Sequence, residues 1–259
     1  KNGTVTEVIR ENFDATYYSE EELKRILEMR AGVERLDLSQ CSFENMDLSG
    51  WNLQNINFDD CDFKGMTFDR ADLFGITAKN ALFGELILPD SSKKKTSLSG
   101  CNLQNAILES ADFRGCDLRK ADIRGADVYS AAFYQADLTG IQADETTKHF
   151  WMSCPEKGAF LGWKVCYGRR IVLLLIPEDA RRVSGTREEI RCEKAKVLTI
   201  DSIDGKENYT EAHSYVDENF YYRVGQMAYA ENFNPDRFVD SGGGIHVWLS
   251  REEAIAYLG

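Results

Sequence analysis

Apolar residues recur every fifth position along the first half of the chain: Leu38, Phe43, Leu48, Leu53, Phe58, Phe63, Phe68 and Leu73, then again from Leu98 to Leu138. Two positions before most of them stands a small or apolar residue, as at Cys41, Met46, Cys61, Ala71, Cys101, Ala106, Ala111, Cys116, Ala121, Ala126 and Ala136. A helix face recurs about every 3.6 residues and a strand face every second residue, so neither produces this beat. A short extended piece closed by a tight corner does. Positions i−2 and i point inward, i−1 points outward, and the last two residues turn. Gly50, Gly65, Gly75, Gly100, Gly115, Gly125 and Gly140 fall at the second corner position, where glycine adopts a positive φ without steric penalty. Asp, Asn or Thr fill the outward slot, for example at Asp47, Asn52, Thr67, Asp112 and Asp122, where short polar side chains bond turn amides. Self-similarity at a fixed period predicts a stacked repeat.

The runs Ala71-Asp72-Leu73, Ala111-Asp112-Phe113, Cys116-Asp117-Leu118, Ala121-Asp122-Ile123, Ala126-Asp127-Val128 and Ala136-Asp137-Leu138 resemble the pentapeptide-repeat family, whose unit reads A-(D/N)-L-x-x. The resemblance implies a mainly β fold, a right-handed quadrilateral β-helix with four pentapeptides per coil, over residues 33–148. Residues twenty apart then stack, so Phe43, Phe63 and Phe83 form one aromatic column and Phe113 with Phe133 another. The beat breaks at Pro89-Asp90-Ser91-Ser92-Lys93-Lys94-Lys95-Thr96. This predicts an inserted loop at 89–97, which replaces one unit or sits within two, with the three lysines at a solvated tip.

Residues 1–32 read as an N-terminal segment with a capping helix near 20–31. Ser19-Glu20-Glu21-Glu22 supplies a capping box and Gly32 the stop. A linker is expected over 149–158. Residues 159–259 lose the five-beat and read as an antiparallel, β-rich α+β domain. Strands are expected at Phe160–Cys166, Ile171–Ile176, Ala195–Ile200, Phe220–Val224 and Ile245–Leu249. Pro177–Arg182 suggests a helical turn, and Ser250-Arg251-Glu252-Glu253 starts a closing helix. Gly162-Trp163-Lys164, Ile176-Pro177-Glu178-Asp179-Ala180, Arg191–Leu198, Asn219–Gly225 and Gly244-Ile245-His246 resemble an uncharacterised domain found after repeats in bacterial and phage proteins. That resemblance implies no particular activity.

Charge narrows the choice of partners. The 259 residues hold 43 acidic and 31 basic side chains, for a formal charge of −12, which argues against direct binding of nucleic acid. The longest clean apolar run, Ile171–Ile176, is far too short to span a membrane. Seven cysteines without disulfide spacing point to reduced thiols and a cytoplasmic protein. The chain opens on Lys1 rather than Met, as a trimmed chain or fragment does.

Candidate chemistry is sparse. His246 follows Gly242-Gly243-Gly244 and can serve as a base or ligand contact. Arg191 and Lys194 lie in a basic stretch suited to a phosphate or carboxylate. Trp163, with Tyr215, Tyr222 and Trp248, can line a pocket for a planar ligand. His149, Cys154, Cys166, Cys192, His213 and His246 lack CxxC or HxxxH spacing, so no metal site is expected. No nucleophile elbow or Walker sequence occurs. The expectation is therefore a non-catalytic binding or scaffold protein without cofactor, acting on another protein. Two alternatives stand beside it. One is DNA mimicry toward a type II topoisomerase, which the resemblance to pentapeptide-repeat proteins suggests. The other is a small-ligand sensor or enzyme with its pocket in the C-terminal domain.

Overall fold

The computed structural model describes residues 17–30, 34–43, 45–239 and 242–257. The chain divides into two compact units, Lys1–Phe150 and Trp151–Gly259.

In the first unit, strand β1 (Tyr17–Tyr18) precedes helix α1 (Glu20–Met29), and β2 (Leu36–Asp37), β3 (Ser42–Phe43) and β4 (Ile56–Asn57) begin the repeats. The Ser19 backbone N–H donates to Glu22 at 2.8 Å and the Glu22 N–H returns to Ser19 Oγ at 3.3 Å, so the capping box forms. Leu23 and Ile26 of α1 are fully buried. The stop expected at Gly32 lies outside the described residues.

Parallel pairing follows a twenty-residue offset. β2 pairs with β4 as Asp37↔Asn57, then Ser42 pairs with Asp62, Asp47 with Thr67, and Asn52 with Asp72. Each successive pair lies five residues further along, so the chain passes four walls before returning to the first. Every wall is sewn to the next coil by bonds such as Leu53 N→Asp72 O (2.8 Å) and Asp72 N→Trp51 O (2.9 Å). The corner demands a positive φ whatever residue occupies it: Gly50 and Gly65 meet it at 71° and 74°, and Gln40, Arg70 and Lys120 meet it at 60°, 57° and 60°.

From Thr67 the offset becomes thirty residues, with Thr67↔Ser97, Asp72↔Asn102, Thr77↔Ile107 and Leu82↔Asp112, and it returns to twenty at Ser97↔Asp117. Ten residues have therefore left the coil. They form a hairpin in which β5 (Leu86–Ile87) pairs antiparallel with β6 (Lys93–Lys94). The excursion is 86–95 rather than 89–97, because Ser97 is already back in the ladder. The lysines are not a free tip. Lys93 and Lys94 are strand residues, and Lys93 pairs with Glu85 at 2.8 Å. Buried Thr96 rejoins the coil, its hydroxyl accepting from the Gly65 N–H at 2.8 Å.

The two expected aromatic columns are one. Ring centroids run Tyr18–Phe43 5.8 Å, Phe43–Phe63 5.1 Å, Phe63–Phe83 5.0 Å, Phe83–Phe113 4.9 Å and Phe113–Phe133 5.3 Å, and Phe150 closes the file edge-on at 6.2 Å. Phe83 and Phe113 meet because the hairpin removes ten residues from the count.

The second unit holds two main antiparallel sheets. β7 (Phe160–Cys166) and β8 (Arg170–Ile176) form a hairpin, followed by β9 (Arg182–Ser184), β10 (Ile190–Cys192) and β11 (Lys194–Ser202). β12 (Glu211–His213) pairs with β13 (Tyr221–Arg223), and β14 (Met227–Tyr229) and β15 (Ile245–Val247) lead to helix α2 (Arg251–Ala256). The sheet orders are β14-β11-β8-β7 and β15-β10-β9. Alternate residues Val172, Leu174 and Ile176 share one core with Ile190, Cys192, Val197, Ile245, Val247 and Tyr222.

Pro177–Arg182 is a hydrogen-bonded turn and not a helical one, with Ala180 N donating to Pro177 O at 3.0 Å. Arg182 explains the difference. Its guanidinium donates to the carbonyls of Pro177 and Glu178 at 2.7 Å each, satisfying groups that a helix would otherwise pair, and to the Gly158 carbonyl at 2.7 Å.

Phe83 packs against rings both before and after the hairpin. Phe83→Ala should lower the unfolding free energy of the full chain by about 3–5 kcal/mol, measured by denaturant titration.

Candidate functional site

Strands β10 and β15 each send two residues into the core and one to the opposite face. On β10, Ile190 and Cys192 point inward; on β15, Ile245 and Val247 do. The register Arg191↔His246 then sets these two side chains directly across from one another. Arg191 is only 5% exposed. Its Nη2 donates to the Asp236 carbonyl at 2.7 Å, while Nη1 has no hydrogen-bond partner among the described residues. Burial pushes the Arg191 guanidinium down from its ordinary value, with Glu189 and Asp236 opposing.

His246 is held at both ring nitrogens. Nδ1 bonds the Glu189 carboxylate and Nε2 lies 3.1 Å from the Gly242 carbonyl. Glycine is required beside this pair: a Cβ at Gly242 would sit 1.4 Å from Arg191 Nη1, and one at Gly244 (φ +148°) 3.2 Å from Arg191 Cβ.

Beneath them lies Lys164 of β7, buried, with its ammonium 3.4 Å from the His246 carbonyl. Burial depresses this amine, against the weaker pull of Cys166, Glu189 and Cys192. Glu189 responds in the opposite sense to its surroundings. Burial alone raises its carboxyl, but the hydrogen bond and charge of His246, with Lys164 and Arg187, outweigh that and hold it below its ordinary value.

Of the residues singled out in the sequence, Arg191 and His246 come together. Lys194 does not join them; it starts β11 in the other sheet and pairs with Asp179 at 2.6 Å. Trp163 bridges Trp248 through two backbone bonds of 2.7 and 2.9 Å and packs in a separate cluster with Val165, Ile171 and Ala254. Tyr222 is fully buried and Tyr215 lies exposed beside Tyr167, so the four aromatics share no pocket. Glu189 and Lys164 were missed. Lys164 had a signal, because it occupies the inward phase of β7 with Gly162 and Cys166. Glu189 had none.

All seven thiols are free and buried. Desolvation pushes Cys166 up to about 11 and Cys61 and Cys192 up to about 12, far from thiolate chemistry. Among the described residues, no three His, Cys, Asp or Glu side chains gather as for a metal ion, and no helix is long and apolar enough to cross a membrane.

The twenty-residue ladder has a counterpart among known families: residues 37–74 and 96–133 match the family described as pentapeptide repeats (8 copies). The chain carries pentapeptide repeats. The gap between the two matched stretches contains the 86–95 hairpin. Residues 150–254 match a family of unknown function, DUF5758, so the Arg191–His246 cluster lies within that domain. Solved structures similar to the repeats include a pentapeptide repeat protein of the Arabidopsis thaliana thylakoid lumen, at 24% identity over 39% of this chain and 66% of that one, with a TM-score of 0.34. HetL of Nostoc, a pentapeptide repeat protein involved in heterocyst differentiation regulation, shares 27% identity over 43% of this chain and 50% of its own (TM-score 0.32). Rfr23 of Cyanothece shares 14% over 48% and 97% (TM-score 0.32). The chain thus spans about two-thirds and one-half of the first two relatives. Among curated proteins none matches.

Two pH responses follow from these charges. A carboxyl with a depressed native pKa stabilises the fold fully above its unfolded value, about 4.3, and loses that contribution as pH falls through the native value. Glu189→Gln should therefore flatten the acid limb of stability against pH, measured by denaturant midpoints. An amine with a depressed native pKa leaves the unfolded state binding more protons, so stability rises with pH up to about 10.4. Lys164→Met should remove that alkaline rise without lowering stability at neutral pH.

Proposed function

We propose that this protein is a non-catalytic binding scaffold, in which a rigid repeat rod presents flat walls to another protein and the DUF5758 domain supplies a recognition site. In this reading the rod is a right-handed quadrilateral β-helix over residues 33–148. Helix α1 covers its first coil, residues 159–259 form the recognition domain, and the protein works in the cytoplasm.

The observation that carries it is the preorganisation of the walls. Outward carboxylates are tied to their own corners: Asp47 accepts from Ser49 N, Asp62 from Lys64 N and Asp112 from Arg114 N, each at 3.0 Å. Side chains already held in place lose little freedom on docking, which favours association through an extended surface.

Imitation of duplex DNA for a type II topoisomerase is the weaker alternative, because it needs an unbroken row of negative charge. Asp112, Asp117 and Asp122 pair with Arg114, Arg119 and Arg124 at 2.6, 2.5 and 2.5 Å. The wall through Asp37, Asn57, Thr77, Ile107 and Asp127 interrupts its carboxylates with neutral side chains.

Affinity capture and crosslinking with the full chain, in extract of a cell that makes it, should yield a defined partner at near-equimolar amounts. A chain that captures nothing, yet turns over a substrate in an activity screen, would replace this reading with the enzyme alternative. In a gyrase supercoiling assay the protein should neither inhibit nor protect against quinolones; either effect would restore DNA mimicry.

A further inference from the structure

The outer face of the sheet β14-β11-β8-β7 is covered at one end and bare at the other. Cross-strand partners share a face. Val165 and Ile171 are such a pair, and α2 packs on them through Ala254 and Ile255. Leu161 lies four residues before Val165 on β7, about 13 Å away. Helix α2 has six residues and is only about 9 Å long. At the bare end the registers Leu161↔Leu175, Leu175↔Lys196 and Lys196↔Met227 set four side chains in one file across all four strands. Leu161 is 49% exposed and Met227 37%; Tyr229, the next residue of β14 on this face, is 60% exposed.

An apolar sheet face is stable when a second layer covers it. Charge and width say what that layer is. Lys196 stands exposed within the file and forms no ion pair among the described residues. The acids on this face are engaged: Asp179 holds Lys194 at 2.6 Å, and Asp201 accepts from Thr199 at 3.1 Å and from Asn208. The file therefore asks for a carboxylate set among apolar side chains. A second copy of the chain would bring another Lys196 to the same file, cation against cation. Four strands span about 14 Å, room for one helix about 10 Å across. A helix is also what the chain itself lays on the covered end.

We propose that the face formed by Leu161, Leu175, Lys196 and Met227 docks an acidic amphipathic helix of a partner protein, with its apolar stripe on the file and a carboxylate at Lys196. The proposal rests on reading the DUF5758 domain as a recognition unit, and it names the kind of partner recognised there. Such a helix reads the face through apolar residues three and four apart.

The test titrates the full chain into three fluorescent peptides held helical by lactam bridges, with binding read as anisotropy. One carries a leucine stripe flanked by glutamates, the second has the same composition scrambled, and the third has lysines in place of the glutamates. The first should bind saturably and the other two at least tenfold more weakly. Leu161→Asp sets a charge in the apolar contact and should weaken the first peptide about tenfold or more. Lys196→Glu should weaken it about fivefold and strengthen the lysine peptide. Both side chains are exposed, so both variants keep their fold, and Met227→Asp repeats the first test from another strand. No saturable binding overturns the proposal, as does equal binding of the scrambled peptide or full affinity in folded Leu161→Asp. A chain that sediments as a dimer, and as a monomer once Leu161→Asp is made, overturns it in favour of a second copy. Protein capture by the full chain is scored independently. Capture without peptide binding removes this face and leaves the scaffold reading; peptide binding without capture does the reverse.

Discussion

Backbone hydrogen bonds between one coil and the next govern the whole repeat unit. They run parallel at a twenty-residue offset that widens to thirty only across the hairpin, as in Phe58 N→Thr77 O at 2.7 Å and Thr77 N→Ile56 O at 3.0 Å. A chain can turn four times and meet itself in register only if each corner bends sharply. That is why left-handed backbone recurs at residues as unsuited to it as Arg70 and Lys120. Each such corner carries about 1–2 kcal/mol of local strain, which the ladder and the packed interior must outweigh. Side chains follow from the backbone here. Once the walls are sewn, the inward residues have no choice but to lie over one another, and the stacked phenylalanines result.

The DUF5758 unit obeys a different constraint. Its strands alternate between a shared apolar interior and a second face, and the polar cluster collects on the side of β10 and β15 turned away from that interior. Arg191, Glu189 and His246 gather because two three-residue strands align in one register. Lys164 reaches the same region from β7, where it takes an inward position among apolar neighbours.

The five-residue beat was legible because every wall repeats the same demand: two inward positions, one outward, two at the corner. What the beat could not tell was the count of walls across the hairpin. Ten residues are two full beats, so Leu88 and Leu98 stay in phase while stacking, which counts in twenties, slips by half a coil. The split of Phe83 from Phe113 into separate columns came from that ambiguity. The capping boxes at Ser19 in the first unit and Ser250 in the second could be read locally, since their partners lie three residues away. The pairing of Arg191 with His246 could not, because it joins strands more than fifty residues apart. Lys194 misled for a related reason: between Cys192 and Lys194 the chain crosses from one sheet to the other, so neighbours in sequence part in space.

The hairpin at 86–95 leaves after Glu85 and is recaptured by the Thr96 hydroxyl, which touches both Gly65 and the carbonyl of Gly84 at 3.1 Å. Registration is thus restored by the returning residue and not by how much polypeptide lies in between. This corner is a natural splice point: a longer excursion, an epitope or a whole guest module can be grafted there while the stack on either side keeps its alignment.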